Sequence, residues 1–498
     1  MLDVLWGMGG MALVLVIAWL LSVDRRRISV RTVALALLIQ VLFGVLVLYV
    51  PAGRRVLTAV SAGVQGVIDA SAAGIDFLFG GILPEDGSVF AFQVLPVIVF
   101  FASLTAVLYY LGVLQAVTRW IGGGLAKALG TTSPESMNAA ANIFVGQTEA
   151  PLVIRPYIKH MSPSEIFAVM CGGLTTVAGS VLAGYSQMGA SLEYLIAASF
   201  MAAPAGLLMA KMIVPAGALA DLRGGEPDPA APGGGDVARS DGDAPAGEQR
   251  DGEAPAGEQR DGSEGRGSLG RRAAAVLRRG ARRGNTQAAR DELVRRAELG
   301  TDRGEPEPAD RPPSRADEDD EAAEDDGPVN VIDAASRGAS DGLALALNVG
   351  AMLLAFVSLI ALANLALGAV GGLFGQPELS VEQIIGYVFA PIMSAVGVPW
   401  HEAVQAGSFL GQKVILNEFV AFADFAPQAA EFTAKTQAVV TFALTGFANL
   451  GSLAILLGGL GGIAPSQRGV IAKLGIRAVA AGTLGNLMSA AIAGVLIG

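Results

Sequence analysis

The stretch Asn142-Ile-Phe-Val-Gly-Gln-Thr-Glu-Ala-Pro-Leu-Val-Ile-Arg-Pro-Tyr157 is polar and rich in helix breakers, yet apolar segments flank it. An ionised carboxylate at bilayer depth costs about 2.5–3.5 kcal/mol on insertion scales, so we expect Glu149 to face a wet, protein-lined cavity. Consecutive helical residues point about 100° apart, so Gln147, Thr148 and Glu149 can reach one ligand only where the backbone opens. The two prolines favour that opening, because proline removes an amide donor. The stretch therefore predicts the tip of a re-entrant hairpin.

The composition is that of a polytopic membrane protein. Hydrophobic residues make up 52% of the 498 residues, far more than the core of a soluble domain of this length requires. Most of the formal net charge of −11 lies in residues 221–330, so the acidic balance says little about the substrate of the membrane part. The chain has one cysteine and two histidines, which argues against a disulfide and against a transition-metal site.

Apolar stretches of sufficient length predict about eight transmembrane helices. They are residues 5–21, 33–50, 89–114, 166–185, 191–214, 343–367, 439–457 and 478–497. The first two flank an arginine-rich loop that we expect to be cytoplasmic, which places the N-terminus and the C-terminus outside.

Three further segments are predicted to lie along the membrane surface. Residues 54–83 are apolar but interrupted by glycine and aspartate, which suits an amphipathic helix in the outer interface. Residues 114–129 are too polar to span and are expected along the cytoplasmic surface. Residues 330–341 are expected to form a third interfacial helix before the span at 343–367.

The two halves of the chain repeat one pattern. In the first half, hairpin arms at 134–144 and 152–158 precede a helix at 166–185 that small residues and hydroxyls interrupt. In the second half, the region 378–425 carries a second intramembrane glutamate, Glu418, and precedes a helix at 439–457 broken near 446–451. A glutamate-bearing hairpin followed by an interrupted helix, twice, is typical of an inverted structural repeat.

These segments define five regions. Residues 1–130 are scaffold and interfacial helices, 131–221 the first transport repeat with its following span, 222–327 a charged cytoplasmic insertion, 328–377 an interfacial helix with a scaffold span, and 378–498 the second transport repeat with the last span. The insertion is rich in Gly, Pro and charged residues and repeats one motif at 244–252 and 254–262, which predicts disorder. Its arginine-rich part is expected to be solvated or to contact anionic lipid, and not nucleic acid.

Three motifs, in order, resemble those of concentrative nucleoside transporters. They are Gly146-Gln-Thr-Glu-Ala-Pro-Leu-Val-Ile-Arg-Pro156, Asn417-Glu-Phe-Val-Ala421 and Gly446-Phe-Ala-Asn449. The resemblance covers nearly the whole chain except about 222–327. It implies an all-α transporter of the plasma membrane, a homotrimer without a cofactor, that imports nucleosides with a cation by alternating access.

Residue chemistry alone leaves the substrate open, because amides, hydroxyls and carboxylates would suit a sugar, an amino acid or a dipeptide almost as well as a nucleoside. The resemblance implies two groups of polar residues and two apolar walls. The base trio is Gln147, Thr148 and Glu149, the ribose trio is Glu418, Asn449 and Ser452, and the walls are Val181 and Phe447.

The resemblance also implies a sodium site. The carbonyls of Asn142 and Val145 at the hairpin tip, with Thr176 and Val177 on the interrupted helix, match family positions that hold sodium, and oxygen ligands suit a hard cation. A proton is the alternative coupling ion. The motif Gly-Gln-Thr-Glu-Ala-Pro, however, resembles the sequence of the sodium-coupled branch of the family.

Two other classes of protein were considered. Glu149 and Glu418 could form a catalytic pair, but no metalloprotease, aspartate or serine-histidine motif lies in the spanning segments, so we do not expect an enzyme. A passive channel is disfavoured by two hairpins that close a midplane site. Gly146 leaves no side chain beside the base, which predicts transport of both purine and pyrimidine nucleosides.

Overall fold

The computed structural model describes residues 2–83, 89–219 and 327–497. Within these ranges every regular element is helical. Seven of the described helices are long and apolar enough to cross a membrane, or eight if a pair bent by 116° counts as one span. The expected disorder of the insertion at 222–327 falls on residues that, except for Gly327, lie outside the described ranges.

The N-terminal part contains five helices before the first hairpin region. They are α1 (Leu2–Leu20), α2 (Val30–Gly44), α3 (Pro51–Ala70), α4 (Ala72–Phe79) and α5 (Phe90–Tyr110). The stripe that α3 buries recurs at near-helical spacing, at Gly53, Leu57, Ser61 and Ile68, so the helix is amphipathic as expected. However, 51–82 as a whole is apolar enough to count among the seven candidate spans, whereas α1 is shorter and does not.

The first repeat contains a hairpin, a broken helix and a long helix. Its elements are α6 (Val113–Leu129), α7 (Ser133–Ala141), a 3₁₀ turn (Ala150–Ile154), α8 (Arg155–Ile158), α9 (Pro163–Thr175), α10 (Gly179–Gln187) and α11 (Leu192–Ile213). The first arm starts at a capping box in which Thr132 and Glu135 satisfy each other's backbone amides. It ends three residues earlier than the sequence suggested, which leaves a longer tip.

The second repeat has the same order of elements. After α12 (Val331–Gly372) come α13 (Val381–Ala395), α14 (Trp400–Ile415), α15 (Glu418–Gln428), α16 (Ala434–Leu444), α17 (Leu450–Ile463) and α18 (Arg468–Ile497). Here α14 and α15 are the hairpin, α16 and α17 the broken helix, and α18 the long helix. The predicted fold class, an all-α membrane protein in which the hairpin and broken helix occur twice, is confirmed.

The division of 330–367 into an interfacial helix and a separate span was wrong. The structure has one continuous helix there, α12, of 42 residues. Two glycines of this helix serve packing, because β-carbons at Gly338 and Gly342 would come within 2.8 Å of α5 backbone atoms. Ser103 of α5 also donates to the Ala335 carbonyl at 2.8 Å. The glycines therefore let α12 lie against α5.

Burial separates an inner set of helices from an outer one. Within the apolar stretch of 18 residues that could span a membrane, 89% of the residues are buried in α9 and α10 together, and 94% in α11. In α5 and in α12 only 17% of the corresponding residues are buried. The first broken helix and α11 thus lie in the protein interior, where the chain can hold polar groups away from lipid.

A buried ion pair ties the start of the first hairpin to this interior. Lys211, in the last turn of α11, lies 2.6 Å from the Glu135 carboxylate, and the two side chains are 9% and 1% exposed. The other Glu135 oxygen accepts from the Thr132 amide at 2.8 Å. Glu135 therefore joins the helix cap of α7 to α11.

We expect Lys211→Met to lower the melting temperature of the detergent-solubilised protein strongly. Removing one partner of a buried ion pair costs about 3–5 kcal/mol, because the other charge stays buried without compensation. Combining it with Glu135→Gln should restore much of the loss. The matched control is Arg337→Ala, which breaks an exposed pair with Asp333 and should change little. Equal melting temperatures for Lys211→Met and Arg337→Ala would contradict a stabilising role for the buried pair.

Candidate functional site

The tip of the first hairpin lies on the break between α9 and α10. The Phe144 carbonyl accepts a hydrogen bond from the Gly179 amide at 3.1 Å, where α10 begins. Gln147 packs on α9, because a β-carbon at Gly173 would stand only 2.8 Å from that of Gln147. The absence of side chains at both glycines therefore lets the hairpin tip approach the break.

The three residues of the base trio have different surroundings. Gln147 is buried, and its side-chain oxygen has no hydrogen-bond partner within the described ranges. Thr148 lies against α17, with its methyl group 3.0 Å from the β-carbon position of Gly459. Glu149 is exposed at the tip, and its carboxylate folds back over Gly146. The backbone opens here as predicted, but the contacts of the three side chains in this structure are separate and do not show the expected convergence on one point.

The ribose trio forms one connected cluster. The side-chain nitrogen of Asn449 donates to Glu418 Oε2 at 2.7 Å. The side-chain oxygen of Asn449 accepts from the backbone amide of Ser452, also at 2.7 Å. Asn449 is the N-cap of α17, while Glu418 is the first residue of α15, whose N-cap is Asn417. A carboxylate at a helix N-terminus is stabilised by the helix dipole, so the Glu418 carboxylate is held in a fixed position at this end.

Aromatic packing supports the same carboxylate from the side of α10. Tyr185 is fully buried, stacks on Phe422 with ring centroids 4.3 Å apart, and meets Phe419 edge-on at 4.9 Å. Its buried hydroxyl has no hydrogen-bond partner among the described residues. The two apolar positions singled out in the sequence differ, since Val181 is buried in α10 and Phe447 is only half-buried at the break of α16 and α17.

The four residues matched to a sodium site lie at the tip and at the end of α9. The Asn142 side-chain oxygen is buried and without a hydrogen-bond partner among described residues, and the Asn142 and Val145 carbonyls accept no backbone hydrogen bond there. The Thr176 hydroxyl donates to the Gly172 carbonyl at 2.8 Å. The Thr176 carbonyl accepts from the Phe447 backbone amide at 3.1 Å. Val177 is fully buried. Oxygens that carry free lone pairs in a buried place fit a hard cation.

The base trio and the ribose trio are not bonded to each other. Among the residues that the structure describes, hydrogen bonds join the ribose trio internally but none joins it to Gln147, Thr148 or Glu149. The hairpin tips reach the two breaks separately, and the breaks themselves meet where Phe447 donates to Thr176.

Two residues at this meeting point were missed from the sequence. Lys413, near the end of α14, and Asn486, in the middle of α18, are buried and hydrogen-bonded to each other at 2.7 Å. The available signal was a lysine within a hairpin arm that is otherwise apolar on one face, because a cation at such depth is costly and needs partners.

Family models match most of the chain. The model described as Na+ dependent nucleoside transporter C-terminus matches residues 303–494, and its N-terminal counterpart matches residues 9–82. A third, described as nucleoside recognition, matches residues 91–192.

Two bacterial proteins are similar over nearly their whole length, and a human protein is similar over part of its length. An uncharacterised transporter, YutK, of Bacillus subtilis is 44% identical, with 100% of both chains covered. The nucleoside permease NupC of Helicobacter pylori is 41% identical, over 99% of this chain and 98% of its own. The human solute carrier family 28 member 3 is 29% identical over 98% of this chain and 59% of the human protein.

Solved structures of a related protein have a similar fold. CNTnw in an inward-facing, substrate-bound state has a TM-score of 0.75 and 46% identity, over 99% of this chain and 98% of that one. An outward-facing form of a doubly substituted CNTnw has a TM-score of 0.76 and 44% identity, over 100% and 98%. With this fold, these motifs and relatives matched over their full length, the chain belongs to the concentrative nucleoside transporter family.

Proposed function

We propose that this protein imports purine and pyrimidine nucleosides in symport with sodium, by alternating access. The observation that carries the proposal is the buried Glu418 carboxylate, held by Asn449 at 2.7 Å between the N-termini of α15 and α17. A fixed carboxylate accepts hydrogen bonds from vicinal hydroxyls, which ribose provides. NupC of H. pylori, described as a nucleoside permease, supports the substrate class.

The base trio would complete the substrate site from the first hairpin. The partnerless Gln147 oxygen and the exposed Glu149 carboxylate offer acceptors, and the Gln147 amide and Thr148 hydroxyl offer donors. A nucleobase edge presents both kinds of group. Phe447 and Val181 would form the apolar walls.

The coupling ion is proposed to bind where the first hairpin tip meets the end of α9. Its ligands would be oxygens of Asn142, Val145, Thr176 and Val177, and the partnerless Asn142 oxygen supports this placement. The family description as Na+ dependent favours sodium over the alternative, a proton.

The proposal includes an orientation and an assembly. The protein would lie in the plasma membrane with both termini outside and the insertion 222–327 in the cytoplasm. It would form a homotrimer in the lipid bilayer, for which the apolar surface of α12 is a candidate contact, since Leu354, Leu362 and Leu365 are exposed in the single chain.

Uptake of labelled uridine into proteoliposomes tests the function directly. With an inward sodium gradient we expect uridine to accumulate above its outside concentration, because the ion gradient drives it inward. Choline in place of sodium should abolish accumulation, and Glu418→Gln should abolish it even with sodium. Accumulation driven by a proton gradient without sodium would favour the proton-coupled alternative. Equilibration without accumulation under every gradient would indicate a channel.

Asn449→Ser should weaken uridine binding and leave uracil binding little changed. Serine keeps the N-cap of α17 but loses the amide that holds Glu418, and a lost hydrogen bond to a charged group costs about 1.5–3 kcal/mol, roughly 10- to 150-fold in affinity. Gln147→Leu, on the base side, should weaken both ligands. Calorimetric titration with uridine and with uracil measures the two losses, and an equal loss of both in Asn449→Ser would refute the division into base and ribose halves.

Gly146→Ser should lower affinity for adenosine more than for uridine. A β-carbon at Gly146 would collide with the Glu149 carboxylate, so Glu149 must move and the space beside the base shrinks. Inhibition of labelled uridine uptake by unlabelled adenosine measures the preference. An unchanged ratio of adenosine to uridine affinity in the variant would show that Gly146 does not set the size of the base pocket.

A further inference from the structure

Lys413 is a fully buried cation held by uncharged groups. Its ammonium group donates to the Ala443 carbonyl at 2.7 Å and to the Asn486 side-chain oxygen at 2.7 Å. The salt bridges formed within the described residues do not include it. The carboxylate that acts on it, Glu418 of the ribose trio, lies beyond salt-bridge distance, so the buried ammonium is costly and an apolar side chain would suit the packed interior better. Stability alone therefore does not account for a lysine here.

The Ala443 carbonyl belongs to the end of α16. This helix stops at Leu444, and the last carbonyls of a helix have no partner within it and carry a partial negative charge. The ammonium group of Lys413 satisfies one of them and neutralises that end.

Asn486 extends the same arrangement to the other broken helix. Its amide nitrogen donates to the Thr175 carbonyl, the last residue of α9, and to the Thr445 carbonyl, directly after α16, both at 2.7 Å. One buried amide thus bridges the ends of α9 and α16, while its oxygen accepts from Lys413. A network of this kind in a low-dielectric interior is strong when complete and costly when one member is lost.

The two breaks are also in direct contact. The Phe447 amide donates to the Thr176 carbonyl at 3.1 Å, and a β-carbon at Gly446 would stand 2.7 Å from the Thr175 carbonyl oxygen. Neither break can shift against the other unless the Lys413 and Asn486 hydrogen bonds rearrange.

We propose that Lys413 and Asn486 are positioning residues that couple cation binding to nucleoside binding. The inference rests on the proposed function, because the break after α9 carries Thr176 and Val177 of the cation site, while the break after α16 carries Phe447 and Asn449 of the nucleoside site. Binding at one break fixes its backbone, and the Lys413–Asn486 bridge transmits that order to the other. Such coupling is reciprocal between the two ligands.

The test is the factor by which saturating sodium tightens uridine binding, compared with choline, in detergent-solubilised protein. We expect Lys413→Met and Asn486→Ser to reduce this factor by about 5-fold or more while the proteins stay folded. If Lys413→Met does not fold, Lys413→Gln, which keeps a donor for the Ala443 carbonyl, serves in its place. The matched control is Ser489→Ala, one turn further along α18, where the buried hydroxyl accepts from Gln40 and donates to the Gly485 carbonyl of its own helix.

A second measurement tests reciprocity without uptake. Sodium is titrated against the melting temperature of the wild-type protein, and uridine should lower the sodium concentration that gives half of the maximal increase. This shift should be smaller in Lys413→Met, in parallel with the smaller effect of sodium on uridine affinity. Uridine affinity that falls equally with and without sodium would show a structural role only and overturn the inference, as would an unchanged factor. If sodium has no effect on uridine binding in the wild type, the sodium coupling of the proposed function fails instead.

Discussion

Backbone carbonyls at an interrupted helix need partners from the protein, because the hydrocarbon core offers no water to satisfy them. Interruptions of this kind follow Thr175 and Leu444. The carbonyls there accept hydrogen bonds from the side chains of Lys413 and Asn486 and from the backbone amide of Phe447. The open backbone that a binding site needs can exist only because these donors reach it.

At the helix N-termini, too, one polar side chain can satisfy two groups. Asn449 uses its oxygen to cap α17 and its nitrogen to hold Glu418, so one side chain serves both the backbone and the site. Asn417 caps α15 through its oxygen, and its buried nitrogen has no partner in the described ranges. A cap that also faces the site links the local fold to ligand geometry, and its substitution therefore needs a replacement, such as serine, that preserves the cap.

Local signals in the sequence predicted the broken helices and hairpin tips closely, because proline, glycine and hydroxyl residues act on the backbone beside them. The predicted break near 446–451 lies at 445–449 in the structure. Signals that depend on distant partners were missed or misread. Residues 330–367 were expected as two elements but belong to one helix, whose Gly338 and Gly342 pack on α5, and Asn486 meets Lys413 across 73 residues of chain. No local pattern records such a meeting.

The unbroken course of α12 has a consequence for how the protein sits in a bilayer. A helix of 42 residues is about 63 Å long, while the hydrocarbon layer is about 30 Å thick. Even with the usual tilt of about 20°, roughly half of its length must project beyond the oily layer. After the N-cap Asn330 its first turns carry Asp333 and Arg337, and the apolar run begins only at Leu343, so residues 331–342, about 18 Å of helix, supply part of the projecting length. A thicker or thinner bilayer would cover more or less of α12, so this outer helix, and not the buried inner helices, would meet a change in thickness.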